Sequence, residues 1–597
     1  MKRRDLLAAS GLGPAAALAQ GMSPSAPSRK VLRAAFSTAE AGFDYAQVSD
    51  DPSLTVVDLI FEAPFTYDPL ARPFKVVPLT AEALPEVSSD FRRYVITIRR
   101  GILFADDPAF QGRARELVAA DYVFAIKRFY DPAVKTERLY FFENARILGL
   151  TELRRKVIAA RTRFPYDVEV EGLRTLDRYR FEVRMAQPAP RFLDVLASSA
   201  NAGAMAREVV EGYADDLMAH PVGTGPYRLV QWRRGSRVVL ERNPRFREMR
   251  FASDAPEGDT QAEAAARELR GQLLPRLDRI EASVIEESQP RWLAFVGGEI
   301  DTLRLPPEFA PLAVPNRRLA PYLARRGITR RETLSSSVTH TYFNFDDPEV
   351  GGYTPERVAL RRAIALACDS AADIRLLYNG LAIPAQSMIP PYNVGYDPTL
   401  KSELQDHSPA RANALLDLYG YERRDAEGYR THPGGARLEL RLASGSTQRE
   451  RLANELWKKR MNEVGLRMRF EVGPFAELIN RSLAGKLQMW GFSWSNGPDG
   501  EFFLGLAYGP NGDQSNDARF KLAAYDALFE RQRVMPDSPE RLALMREAQK
   551  FMLAYVPYIP HVHALDVDLS HAHVRHLIRH PFKSSWWAFT DIAAPAV

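Results

Sequence analysis

Apolar and polar positions change period along this chain, and the period predicts its elements. Tyr94, Ile96 and Ile98 alternate with Val95, Thr97 and Arg99 until Gly101 closes the run, which predicts a strand. Behind Asp121, Tyr122, Ala125, Ile126 and Phe129 recur at helical spacing, and Asp131-Pro132 stops the helix. Residues 178–185 and 237–241 read as further short strands, the second ended by Asn243-Pro244. Near residue 350, Gly351-Gly352 breaks the chain, Thr354 stands at a capping position, Pro355 takes the first helical place, and an Ala- and Leu-rich helix runs to Cys368. Ser370-Ala371-Ala372-Asp373 is spelled like a capping box for a second helix that Gly380 ends. Strand and helix alternate in this way throughout, so the predicted class is mixed α/β. Residues 250–268, acidic and Ala-rich, and residues 422–435, rich in Gly, His and Arg, read as insertions or loops. There is no internal repeat and no low-complexity tract.

Length divides this pattern into domains. A chain of 597 residues is far beyond what one hydrophobic core organises, so two or three packed regions are expected. With 46% hydrophobic and 26% charged residues the composition is that of an ordinary globular protein. Lys2, Arg3 and Arg4 precede a short apolar stretch ending Ala17-Leu18-Ala19, the pattern of a signal peptide at residues 1–19. Arg3-Arg4 followed by Asp5-Leu6-Leu7 is similar to a twin-arginine export signal, and a general secretory signal with two basic residues is the alternative. No cysteine follows Ala19 to carry a lipid, and no other apolar run reaches the ~18 residues that cross a bilayer. A soluble periplasmic protein is therefore expected, free of an anchor and not embedded in the membrane.

Cleavage at that point lowers the formal net charge from +5 to +3, too little over so large a surface to suggest nucleic acid. The single cysteine, Cys368, excludes an intramolecular disulfide and reads as a small buried apolar residue.

One string is specific. Val222-Gly223-Thr224-Gly225-Pro226-Tyr227-Arg228-Leu229, followed by Trp232 and by Val239-Leu240-Glu241-Arg242-Asn243-Pro244, resembles family 5 bacterial extracellular solute-binding proteins, the peptide- and dipeptide-binding group. Its glycines read as permitting a tight turn before a sheet. Leu59-Ile60-Phe61-Glu62-Ala63-Pro64, the run at 94–101 with Phe104, the helix at 121–132, Tyr342-Phe343-Asn344-Phe345, residues 357–369, Ile389-Pro390-Pro391, residues 538–555 and Pro557-Tyr558-Ile559-Pro560 follow in the family's order. The resemblance implies a two-lobed periplasmic binding protein of the large three-domain form, with a hinge and an interlobe ligand cleft. It places lobe one at 20–69, 220–340 and 558–597, an inserted domain at 70–219 and lobe two at 341–557. It implies a peptide-like small solute as ligand, ABC permease subunits with their ATPases as partners, a monomer, no cofactor and no catalytic residue.

The best candidate for a ligand wall is residues 490–503, which mix large aromatics, turn residues and carboxylates. Trp490, Phe492, Ser493, Trp494, Ser495, Asn496, Asp499, Glu501 and Tyr508 are the candidates there, and Phe43, Asp44 and Tyr45 form a matching N-terminal set. In resembling proteins this stretch lies in the cleft, where main-chain groups pair with an extended peptide. Trp490, Phe502 and Phe43 equally suit a core. Peptide-binding relatives carry an Asp for the ligand's α-ammonium where this chain has Ser495, and a hydroxyl lacks the charge-assisted bond of a carboxylate, about 1.5–3 kcal/mol. A sugar, a metal chelate or another amphipathic solute is therefore the alternative ligand. His561, His563, His571, His573, His576 and His580 crowd one stretch, but their spacing matches no closed zinc pattern, and polar strand faces are the preferred reading. A secreted hydrolase is the rival class, and its nearest signal, Ser444-Gly445-Ser446, lacks the Gly-x-Ser-x-Gly spelling.

Overall fold

Long-range strand pairing builds this molecule, as a computed structural model of residues 29–593, apart from Pro73 and Asp513, describes it. The leader expected at residues 1–19 lies outside the described residues. The first sheet joins Val31–Phe36, Arg279–Val284, Arg237–Arg242 and Tyr227–Arg233 in that order. Val31–Phe36 runs parallel to Arg279–Val284, a pairing no short hairpin can make, so the sheet is assembled from distant pieces. A second, antiparallel sheet orders Glu86–Val87, Arg93–Thr97, Arg180–Arg184 and Leu173–Thr175. The helix Ala119–Tyr130 covers it, with Tyr122 stacked on Phe181 at 5.6 Å. Leu32 and Ile280 of the first sheet and Phe129 and Phe181, packed about the second, belong to one hydrophobic cluster, so the two sheets share a core.

The largest sheet has eight strands, with Thr302–Arg304, Tyr558–Ser570, Ser337–Phe343, Met489–Ser495, Leu440–Ser444 and Met468–Val472 in spatial order. Its strands show why period two predicts burial on both faces. Tyr342, Trp490 and Tyr558 join one cluster, whereas their chain neighbours Phe343, Met489 and Ile559 join another across the sheet. Tyr558–Ser570 pairs at one end with Ser337–Phe343 and at the other with Thr329–Leu334 and Thr302–Arg304. Two adjacent antiparallel strands thus carry the chain between the lobes. The expected changeover at 340/341 cuts the strand Ser337–Phe343, and Tyr558 still packs with Tyr342 and Phe503.

The family-like strings turn out to touch one another. A Cβ on Gly223 would lie 2.0 Å from the Ile60 carbonyl oxygen, and one on Gly225 would lie 2.4 Å from that of Leu59. These glycines serve close approach of two backbones, and neither has the positive φ that the tight-turn reading implied. Gly225 N donates to Ile60 O at 2.8 Å, and Thr224 Oγ1 donates to Glu62 Oε2 at 2.9 Å.

Local signals hold with specific shifts. The helix Ala119–Tyr130 begins before Asp121, whose carboxylate accepts from Val118 N at 2.8 Å. Pro355–Ala367 is helical as expected, but Thr354 makes no side-chain cap bond. Asp369, and not Ser370, caps the next helix by accepting from Ala372 N at 2.8 Å, while Asp373 pairs with Arg460 at 2.7 Å. The expected loop at 250–268 contains the helix Thr260–Leu269, capped by Asp259, because its alanines favour helix and Ala262, Ala265 and Ala266 form a buried face. Cys368 is buried, and burial pushes its thiol up to about 12, as its inert reading requires.

Candidate ligand-binding cleft

Where the two lobes face each other, a cleft open to solvent holds a cavity of about 130 Å3. One wall comes from the helices Tyr140–Ala145 and Phe192–Leu196 with residues 188–191 before the second. The other comes from residues 496–502, which follow the strand Met489–Ser495, together with Asn511, Ser515, Phe529 and Arg533. A turn is forced there: Val394 N donates to Pro498 O at 2.8 Å and Gly500 N donates to Val394 O at 3.0 Å, which bends the chain into the helix Glu501–Gly505.

Charge is balanced across the walls with one exception. Asp499 forms a bidentate pair with Arg541 at 2.6 and 2.8 Å, and the Arg541 side chain is fully buried behind it. Arg191 reaches from the first wall to Glu501 at 2.6 Å and donates to the Met535 and Arg533 carbonyl oxygens. Arg146 meets Glu530 at 3.0 Å, again across the lobes. The clamp is therefore closed. Asp194, also on the first wall, accepts from Tyr67 Oη at 3.1 Å and has no ion pair among the described residues. Burial, and then the negative charge of Asp499, push its carboxyl up to about 7.

The predicted residues between 490 and 508 divide four ways. Asn496, Asp499 and Glu501 line the cleft. Phe492 and Trp494 are half-buried in an aromatic row leading to it, with ring centroids 5.4 Å apart and Trp494 a further 5.6 Å from the cleft-lining Phe502. Trp490 is buried at the inner end of that row, 4.5 Å from Phe492, and Tyr508 is buried behind the wall with its ring stacked on Phe529 at 4.4 Å. Ser493 and Ser495 point to the opposite strand face, where Ser493 Oγ meets Thr339 Oγ1 at 2.7 Å.

Phe43, Asp44 and Tyr45 are a correction. All three are interior to lobe one: Phe43 packs edge-on against Trp232 at 5.0 Å, and Tyr45 donates to Gly203 O at 2.5 Å. Asp44 pairs with Arg128 at 2.8 and 2.9 Å. Burial alone would raise the Asp44 carboxyl, but the Arg128 guanidinium holds it below the usual range. An acidic residue between aromatics reads alike whether its cation is a ligand or an internal arginine, so sequence could not choose.

Reading by sequence missed the whole first wall, Tyr140, Phe141, Arg191 and Asp194 among them. Pro188-Ala189-Pro190 marks a loop there, but no spacing says that its neighbours face another lobe.

The histidines serve the strands. His561 Nε2 meets Thr341 Oγ1 at 2.9 Å, His563 Nδ1 meets Ser337 O at 2.8 Å, and His571 Nε2 meets Phe295 O at 2.8 Å. His573 pairs with Asp301 at 3.0 Å, and His580 stacks on Tyr67 at 5.2 Å. Among the described residues no group of three His, Cys, Asp or Glu side chains is placed to hold a metal ion. Ser444-Gly445-Ser446 precedes a capping box, in which Glu450 accepts from Gly445 N at 3.1 Å and Thr447 N at 3.0 Å.

Two lobes joined by paired crossing strands, with a closed cleft between them, define a bacterial solute-binding protein. Comparison with known proteins gives the family: the model of bacterial extracellular solute-binding proteins, family 5, middle region, matches residues 75–515, and the chain belongs to that family. Di/tripeptide-binding protein 2 of Pseudomonas aeruginosa is 25% identical over 572 residues, covering 91% of this chain and 92% of that protein. The dipeptide-binding protein of Escherichia coli is 23% identical, covering 82% and 81%. Among solved structures, the periplasmic binding protein DppA of Helicobacter pylori with peptide STSA superposes with a TM-score of 0.73 at 19% identity, covering 95% of this chain and 99% of that one. AppA of Bacillus subtilis with a nonapeptide gives 0.74 at 13%, covering 95% and 100%.

Proposed function

We propose that this chain is the periplasmic substrate-binding component of an ABC importer, which captures a peptide or peptide-like solute between its lobes. It acts as a soluble monomer and hands the solute to permease subunits served by ATPases. No bond in the solute is made or broken. One observation carries the peptide reading. Met489–Ser495 pairs along its whole length with Ser337–Phe343, but with Leu440–Ser444 only at Met489 and Trp490. Among the described residues, the other edge of residues 491–495 is unpaired, and it leads into Asn496 and Gly497, which line the cleft. An extended peptide satisfies such an edge as an added strand, which a sugar or a metal chelate does not do. The relatives named for di- and tripeptides support the same reading.

In this reading the main chain of Ser493 and Ser495 pairs with the peptide, Phe492, Trp494 and Phe502 contact its side chains, and Asn496, Asp499 and Glu501 bound it. Trp490 and Tyr508 support that wall from behind. Among the described residues no helix is long and apolar enough to cross a membrane. The test is native mass spectrometry of the purified protein with a tripeptide library, a monosaccharide set and a ferric chelate. One peptide retained per chain, with peptide masses unchanged after prolonged incubation, is the expected result. Retention of sugar or chelate without peptide, or the appearance of hydrolysed peptide, contradicts it.

A further inference from the structure

Among the described residues, every charged group that lines the cleft has an ion-pair partner within 4 Å except Asp194, which feels Arg191 only at longer range. Asp499 is taken by Arg541, and Glu501 by Arg191. Arg191 is committed further to main-chain acceptors at Met535 and Arg533, so it is held on the second lobe. Arg533 itself lies 3.8 Å from Glu530 and donates to Asn144 O. Asp194 is left with one hydrogen bond, from Tyr67 to Oδ1, and faces the cleft opposite Asp499. A buried carboxylate with no cation paired to it, across from another carboxylate, disfavours the closed clamp. A positive charge arriving with the ligand removes that penalty.

We propose that Asp194 is the anion that receives the ligand's positive charge, so that the cleft selects solutes bearing a free ammonium, such as an unblocked peptide N-terminus, over neutral ones. The assignment rests on the peptide reading above and deepens it. It also answers the departure at Ser495: the carboxylate missing from the second lobe's strand is supplied from the opposite wall, where it meets the ligand only when the lobes close. Recognition and closure then become one event, because the charge that identifies the ligand is neutralised by the movement that encloses it.

The test is a competition, read by native mass spectrometry, between an equimolar tripeptide library and the same library N-acetylated, on wild type and on Asp194→Asn. A charge-assisted bond predicts that wild type prefers the free amines by about 10- to 100-fold. Asp194→Asn should lose that preference while retaining the acetylated peptides, and this retained binding shows that the variant is folded. Equal binding of the two libraries by wild type, or a preference that survives in Asp194→Asn, overturns the assignment and leaves the peptide reading standing. Binding of neither library by wild type overturns both.

Discussion

Asp44 and Asp499 look alike in sequence and do different work. Both carboxylates accept two bonds from a buried arginine, but Arg128 and Asp44 are sealed inside lobe one, whereas Asp499 keeps a face on the cleft. Breaking a buried pair strands the remaining charge, which destabilises by about 3–5 kcal/mol. Arg128→Met should therefore lower stability by about that much in urea unfolding while peptide affinity of the folded protein stays unchanged. Wild-type stability with lost affinity would return Asp44 to the ligand. Trp494 stands on the other side of this distinction, half-buried between Phe492 and Phe502. Trp494→Ala should weaken peptide binding by about 1–2 kcal/mol, roughly tenfold, with little change in melting temperature. A large fall in melting temperature with intact affinity would make Trp494 core. Residue types alone announce that an aromatic or a carboxylate is unusual, but not which partner it meets.

Among elements, the crossing pair Ser337–Phe343 and Tyr558–Ser570 bears the most weight. It holds His340, His561 and His563, and burial keeps them neutral, His340 down at about 3 and the other two at about 4. Against an unfolded value of about 6.5, the unfolded chain binds more protons over this interval, so stability falls as pH drops from about 6.5 towards 4. Urea midpoints measured from about pH 7 to about pH 4.5 should show this acid slope, and His340→Leu should flatten it. A slope indifferent to that substitution would contradict the buried, neutral His340. Ending the chain before Tyr558 removes a strand paired with four others, Thr302–Arg304, Thr329–Leu334, Ser337–Phe343 and Ala382–Pro384. Such a truncation should abolish cooperative unfolding as followed by circular dichroism, and a retained native transition would show the strand to be dispensable.

Much of this scale was legible beforehand. Periods of two and of 3.6 located Arg93–Thr97 and Ala119–Tyr130, since each buries a face of its own sequence, and Gly351-Gly352 with Pro355 located Pro355–Ala367. The pairing of residue 31 with residue 279 was not, because no local pattern records which strand lies beside which. The first wall of the cleft stayed hidden for the same reason: Arg191 pairs with Glu501, 310 positions away, and Asp194 accepts from Tyr67, 127 positions away.

At the scale of the molecule, the contacts between the lobes at the cleft are largely polar, among them Arg191 with Glu501, Arg146 with Glu530, Arg533 with Asn144 O, and Gln514 with Glu143 at 3.2 Å. Such an interface suits reversible hinge motion, since a ligand shifts the balance only by what it adds to the closed form. Arg191→Ala should raise the dissociation rate of bound peptide by about tenfold, read by stopped-flow fluorescence, with the association rate little changed. An unaltered dissociation rate would mean that Arg191 does not hold the clamp. The most direct measurement of the central claim is small-angle X-ray scattering of the wild-type protein with and without a saturating tripeptide that binds it. A smaller radius of gyration in the bound sample, fitting the closed lobes described here, is the predicted result; identical curves for the two samples would contradict closure around the ligand.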